Sequence, residues 1–560
     1  MTILFSALAL RSRSINIKAT CAAVTPESGK MTRNDINALE IDRPPADGSI
    51  LARVVTAVSE PVPQTSLVLG DEIRPLSKAS LILTSCLVML CNLTQFISMF
   101  STVAGGFEFT KRLGHSIGPG EANWMAASYS LTQSAFVLIS GRLGTIYGHQ
   151  RMLMVAGCFI FVFSLGNAFC TTYITFVTMR AMTGIGGGIL MPNAVAILTT
   201  MAPPGKMRNF TLAIFAASPP IGAMLGALLV GVFFELTEWK WFFVLIAILT
   251  AIVFSALYLV LKHEEPLDKQ GGIDFVGIIL GLGGLVLFNF VWNQAPSVGW
   301  NEPYEIAIVI LSVAMLAAFF VWESRFAKEP IMPLSIFAAP TFTALVFVVL
   351  LTYMSVGIAL WYMVAWQQLL RDWTVLSVAV GWIPYSVGAL IAVGLAAWLI
   401  PRLEAQYIMA FGIICSIISL VLLATMPEKQ VYWAQTFPSI FIGALCADFV
   451  YVAAQIIASN SVGKREQGVA GSLIGTLNLY GNSLGLGFAG TIESQVVKNG
   501  GSESDGYRAA LWFGMALVVL ALILDFLFVR MPKSDHEGWE KHPDGAIARV
   551  QSGQQGDLHV

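Results

Sequence analysis

Ser140-Gly141-Arg142-Leu143-Gly144-Thr145-Ile146-Tyr147-Gly148-His149-Gln150-Arg151 is a glycine- and cation-rich stretch set between two long apolar runs. The flanking runs, near 123–146 and 152–170, are each close to the length that crosses a hydrocarbon core of roughly 30 Å as a helix. Glycines permit a tight turn and close helix approach, and cations favour the inner surface of a membrane. The stretch therefore reads as the connection between two adjacent spans.

Composition points to a membrane independently. The chain is 56% hydrophobic and 12% charged, with a mean hydropathy of +0.72, and a soluble fold could not hide so much apolar surface. A net charge near −2 argues against nucleic acid as a partner, since phosphate binding needs a basic face. The cysteines after Cys21 (Cys86, Cys91, Cys158, Cys170, Cys415, Cys446) all fall inside apolar runs and show neither a disulfide framework nor metal-ligand spacing. No cofactor or metal is expected.

Residues 1–78 are polar, with Pro44-Pro45, Pro61, Pro63 and scattered charge, and read as a disordered cytoplasmic tail. Their first segment, Ile3 to Leu10 followed by Arg11, Arg13 and Lys18, has a faint transit-peptide character but no convincing cleavage signature. From Ala79 onward the spacing predicts spans near 79–103, 123–146, 152–170, 173–199, 209–234, 241–261, 275–295, 304–324, 341–366, 375–400, 407–426, 433–458, 469–497 and 508–530, followed by a tail at 531–560. The expectation is an all-α polytopic protein of about fourteen transmembrane helices.

Both termini are placed in the cytoplasm by charge. That orientation puts Arg74, Lys78, Arg151, Lys206, Arg208, Lys262, Lys269, Arg325, Lys328, Arg402, Lys464, Arg465, Arg530 and Lys533 inside, against Lys111, Arg112, Lys240, Arg371, Lys429, Lys498 and Arg508 outside. Lys111-Arg112 sits on the unfavourable side, in the first outer loop.

Three further motifs follow the opening turn. Phe176 to Gly188 (FVTMRAMTGIGGG) places Arg180 within a span, where a guanidinium costs about 2.5 to 3.5 kcal/mol and should face protein or a wet cavity. Ala216-Ala217-Ser218-Pro219-Pro220-Ile221-Gly222, with Gly226, reads as a kinked helix carrying a small-residue surface. The third runs from Ala447-Asp448-Phe449 through Gln455 and Asn460 to Gln467-Gly468-Val469-Ala470-Gly471-Ser472-Leu473 and Ser483 to Gly490. It sets Asp448 near the centre of its span, where protonation is a plausible switch and a structural hydrogen bond the alternative. Asp525 lies within helical reach of Arg530 and reads as an interfacial pair.

On these motifs the chain resembles the major facilitator superfamily, specifically its fourteen-span drug:proton antiporter branch of fungal type, over about residues 79–530. It looks like the aminotriazole- or boron-resistance and secondary-metabolite efflux transporters of that branch. The resemblance implies two six-helix halves, 79–261 and 341–530, separated by two inserted helices at 275–324. It further implies that the opening turn (Gly141, Arg142, Gly144, Thr145, Gly148, Arg151) docks one half on the other and helps gate a cavity. The family usually has Asp where this chain has Thr145. Proton coupling is implied for Arg180 and Asp448, with structural anchoring as the alternative for each. Pro219, Pro220, Gly222 and Gly226 resemble an exporter signature, with Ser218-Pro219 in place of the usual Gly-Pro.

For a substrate cavity, Asn92 and Gln95 share one face of span one, Asn478 and Asn482 lie four apart on span thirteen, and Trp361, Tyr362, Trp366 and Gln367 end span nine. Aromatic faces with a few amides suit a moderately apolar organic solute, although Trp and Tyr near helix ends are also common interfacial belt residues. No GxxxxGK[ST] loop or nucleophile–base arrangement is present, so neither ATP-driven transport nor an enzyme is expected. The implied activity is proton-coupled export of small organic molecules by alternating access. The partners are then a small-molecule substrate, protons and the lipid bilayer; the unit is a monomer in the plasma membrane rather than the vacuole. The runner-up is uptake or low-affinity movement of a small ion or nutrient such as ammonium or borate, and a non-transporting membrane sensor is the third reading.

Overall fold

The computed structural model describes residues 78–530 apart from 116–117, 202–205, 262–265, 267, 269–270, 328–329, 339–340, 401 and 463–465. Apart from Lys78, which opens the first helix, the two tails at 1–78 and 531–560 lie outside the described residues.

Among the described residues, fourteen long helices make the fold. They are α1 (Lys78–Ala104), α2 (Trp124–Tyr147), α3 (His149–Ala168), α4 (Tyr173–Met201), α5 (Lys206–Leu236), α6 (Lys240–Val260), α7 (Phe275–Val298), α8 (Pro303–Arg325), α9 (Phe342–Ala365), α10 (Val375–Gly381 and Ile383–Leu399), α11 (Ala405–Ala424), α12 (Thr436–Ser461), α13 (Gln467–Lys498) and α14 (Glu503–Phe528). Their ends follow local chemistry. Gly148 and Gly299 adopt positive φ (96° and 91°) after α2 and α7, a conformation glycine takes without steric cost. Ser502 and Asp505 form a reciprocal capping box at the start of α14. The span expected to run unbroken over 375–400 is interrupted at Trp382, between Gly381 and Pro384, and Tyr432 donates to the Gly381 carbonyl (2.8 Å). Span nine continues beyond Ala365 as a π turn, Trp366–Leu370.

Twelve helical stretches among the described residues are long and apolar enough to cross a membrane on their own merits. The remaining two, α2 and α13, carry runs of Ser, Thr, Asn, Gln and Gly. They can be more polar because they pack against each other in the middle of the molecule. At the other extreme, only 17% of the apolar stretch of α8 is buried, which leaves it a lipid-facing helix.

The helix pairings repeat. In the first half α1 packs on α5 and α6, α2 on α4, and α3 on α4 and α6; in the second, α9 packs on α13 and α14, α10 on α12, and α11 on α12 and α14. Each pairing recurs eight helices later, so the internal repeat faint in the sequence is plain in the packing. The halves meet in two symmetry-related seams, α2 with α13 and α5 with α10.

The inserted pair is not peripheral throughout. Asn289 and Asn293 of α7 are fully buried and reach both halves. Asn293 accepts from Asn123 just before α2 (3.1 Å) and donates to the Ser483 carbonyl of α13 (3.2 Å), while Ser483 Oγ donates to Asn289 (2.9 Å). The α7 helix thus braces the α2–α13 seam with satisfied amides.

Candidate functional site

Hydrogen bonds between the halves gather at the end that carries the α1–α2 connection. There Gln368 donates to the Ala104 carbonyl (2.6 Å), Trp361 Nε1 to the Pro119 carbonyl (3.1 Å), the Gly120 N–H to Glu493 (3.0 Å) and Thr374 to Glu235 (2.8 Å). Trp361 also packs on Phe107, with ring centroids 4.5 Å apart. These contacts seal that side. Nearer the middle, Ser386 of α10 donates to the Pro220 carbonyl of α5 (3.0 Å).

Inside the first half, α1, α2, α4 and α5 assemble one polar network. Arg180 is fully buried; its guanidinium donates to Ser98 Oγ and the Ser98 carbonyl (both 2.8 Å) and to Thr102 (3.1 Å), and lies 4.7 Å over the Tyr129 ring. Tyr129 donates to Gln95 (2.9 Å), which also accepts from Gln133 (3.1 Å). Gln95 donates to Asn92 (3.4 Å), and Asn92 to Ser218 (2.5 Å). Arg180, Gln95 and Asn92, singled out from separate motifs, thus belong to one chain of contacts. Close packing permits it: a methyl on Gly187 would lie 2.6 Å from Gln95 Oε1 and 2.8 Å from the Tyr129 hydroxyl. Sequence reading passed over Tyr129, Gln133, Ser98 and Thr102, whose only signal was polarity inside a span.

The proline motif completes this network. Pro219 has no N–H to offer the Phe215 carbonyl, and Ser218 Oγ donates to that carbonyl instead (2.6 Å). Gly222 and Gly226 face Phe96 and Ile97 of α1 so closely that a methyl on either would collide with them. The kink motif is therefore also the α1–α5 contact.

In the second half, Asp448 sits midway along α12, half-buried, within electrostatic reach of Tyr353 and Tyr385. Its carboxyl has no hydrogen-bond or ion-pair partner among the described residues, whereas Tyr353 is spent on the Ala447 carbonyl (2.7 Å). Tyr385 also lines a cavity of about 30 Å³ with Ser416, Ser419 and Ser439. Asn478 and Asn482 are half-buried on α13 and bond to each other (3.1 Å). Between them Leu479 packs with Phe96, Met99 and Tyr129, so this part of α13 adjoins the Arg180 network.

Trp361, Tyr362, Trp366 and Gln367 are each no more than 2% exposed. They are not a lipid-facing belt: Trp361 closes the sealed end, and Tyr362 and Trp366 pack on Tyr507 of α14. Asp525 is buried with neither oxygen paired, so the expected pair with Arg530 is absent.

The opening turn departs from expectation at its charge pair. With Thr145 in the acidic position, Arg142 bonds Asp268, in the connection between α6 and α7 (3.0 Å), and the Asp268 N–H donates to the Thr145 carbonyl (3.0 Å). Thr145 Oγ1 turns back to the Arg142 carbonyl (2.8 Å). Gly141 faces Ser472 of α13, and a side chain on Gly144 would collide with Asn193 and His149, which bond to each other (2.8 Å). Arg151 is exposed on the first turn of α3. The Arg142–Asp268 pair is half-exposed, so its worth to stability is about 0–1 kcal/mol. We expect Asp268→Asn to slow turnover several-fold while leaving stability unchanged, and Thr145→Asp in that background to restore it. Equal rates in all three proteins, measured in reconstituted vesicles, would show the pair to be incidental.

Among the described residues, fourteen long helices in two pseudo-symmetric halves with an inserted pair are the architecture of a membrane transporter. Residues 81–486 match the Major Facilitator Superfamily, and the chain belongs to that family. It is 34% identical to a low affinity ammonium transporter of Saccharomyces cerevisiae, over 74% of this chain and 82% of the relative. To the efflux pump terG of Aspergillus terreus it is 32% identical, over 82% and 88%. Among solved structures, an auto-inhibited POT family peptide transporter superposes with a TM-score of 0.59 at 14% identity, over 80% of this chain and 98% of that one. The protein is a multi-pass membrane transporter with efflux pumps among its relatives.

Proposed function

We propose that this protein is a proton-coupled antiporter that exports small organic molecules by alternating access between its two halves. The observation that carries the reading is Asp448: a carboxyl at the middle of a span, half-buried and without a partner, can take and release a proton without dismantling an ion pair. The Arg180 network, joined to α13 through Leu479, is the fixed polar surface against which solute and proton would compete. Asn92, Gln95, Asn478 and Asn482 supply amides for the solute. Export as the direction is supported by the terG relative and by Pro219 and Pro220 inside α5, which resemble an exporter signature. Both termini lie in the cytoplasm, and the plasma membrane is the site of action. The second reading, low-affinity movement of ammonium, is favoured by the yeast relative.

The test is accumulation of a panel of labelled organic molecules and of methylammonium in a pump-deficient host expressing the chain, with and without a protonophore. Export predicts lower accumulation of at least one organic solute, abolished by the protonophore. Raised methylammonium with unchanged organic solutes would overturn export in favour of the second reading.

A further inference from the structure

Glu493 is a buried carboxyl that the mechanism above does not use. It lies near the end of α13 at the sealed side, 7% exposed, and its Oε2 accepts the N–H of Gly120 from the first half (3.0 Å). The fit is tight, since a methyl on Gly120 would lie 2.8 Å from that oxygen. Among the described residues, the groups facing Glu493 supply no positive charge. They are Glu121 of the α1–α2 connection, Tyr362 of α9, and Glu503 and Tyr507 of α14, while α7 contributes Pro296, which touches Gly120 and accepts from Ser494. Arg508, next to Tyr507, is turned to the Met426 carbonyl and to Asp505.

A charged acceptor makes a stronger hydrogen bond than a neutral one, by roughly a factor of two in energy. A proton taken from the aqueous phase forms an O–H bond on the carboxyl and removes its charge, leaving the Gly120 N–H with a neutral acceptor in place of a charged one. The contact between the halves then weakens, and loss of the proton restores it. We propose that Glu493 is a second proton-bearing residue of the transport cycle, a positioning residue that holds the sealed side shut when ionised and releases it when protonated. This rests on the alternating-access reading, but its test does not use transport.

The experiment is hydrogen exchange of the full-length protein in lipid nanodiscs, followed by mass spectrometry of the peptide spanning Gly118 to Met125, at pH 5.5 and 7.5 and corrected for intrinsic rates. In the wild type the corrected protection at Gly120 should fall about tenfold at the lower pH. Glu493→Gln should exchange at the fast rate at both values, and Glu121→Gln should keep the wild-type response. Unchanged protection in α11 peptides confirms that the variants are folded. A wild-type protection flat with pH would overturn the proposal, as would a pH response that persists in Glu493→Gln and vanishes in Glu121→Gln. Gradient-insensitive transport with a responsive latch would instead overturn proton coupling and leave the latch standing.

Discussion

Asp448→Asn is expected to abolish gradient-driven transport, at least tenfold and down to the level of protonophore-treated vesicles, while downhill exchange of solute across the same membrane continues. Asparagine keeps the shape and the carbonyl oxygen but carries no titratable proton. Because the native carboxyl has no hydrogen-bond or ion-pair partner among the described residues, the substitution orphans no donor, so the fold should be unaffected. That separation of uphill from downhill movement is what a merely structural Asp448 would not produce. Equal loss of both modes would assign the residue to packing or solute binding, and retention of both would remove it from the cycle.

The fold was legible because it rests on the coarsest physical signal in a chain, the run of apolar residues long enough to cross a bilayer. Twelve helical stretches declare themselves that way. The remaining two, α2 and α13, are more polar for the reason that makes them important, since they face each other across a seam and not lipid, yet their runs are still of span length. Candidate positions were legible where a costly residue stood alone in an apolar run, as with Arg180 and Asp448. They were illegible where partners come from elsewhere in the chain. Asp268 lies in a polar connection 126 positions from Arg142, and no local pattern marks it as the acid that pairs with the turn. Tyr129 reads as one polar residue among several on α2 until α1 and α4 are packed on it. Trp361, buried against the Pro119 carbonyl, reads from sequence equally as a cavity or an interface residue, because aromatic character near a helix end does not say which of its faces another helix covers.

Arg180→Met is expected to leave the protein folded and to stop transport, and the contrast with Arg180→Lys is what gives the prediction its content. The guanidinium is fully buried with no carboxylate beside it among the described residues. It is held by the Ser98 hydroxyl and carbonyl, the Thr102 hydroxyl and the Tyr129 ring. A buried charge held by neutral partners contributes little net stability, so an apolar side chain of similar length should leave the melting temperature unchanged or raised. Lysine keeps the charge but cannot bond two oxygens in the fixed geometry of a guanidinium, nor spread over the Tyr129 face. The polar contacts of the site would thus be misplaced, and Arg180→Lys should transport roughly tenfold more slowly or worse. If charge drives the coupling, lysine retains a measurable gradient dependence and methionine none. If Arg180 only anchors α4 to α1, both variants lose transport in proportion to lost thermal stability, and that correlation in a melting assay would remove Arg180 from the proton path.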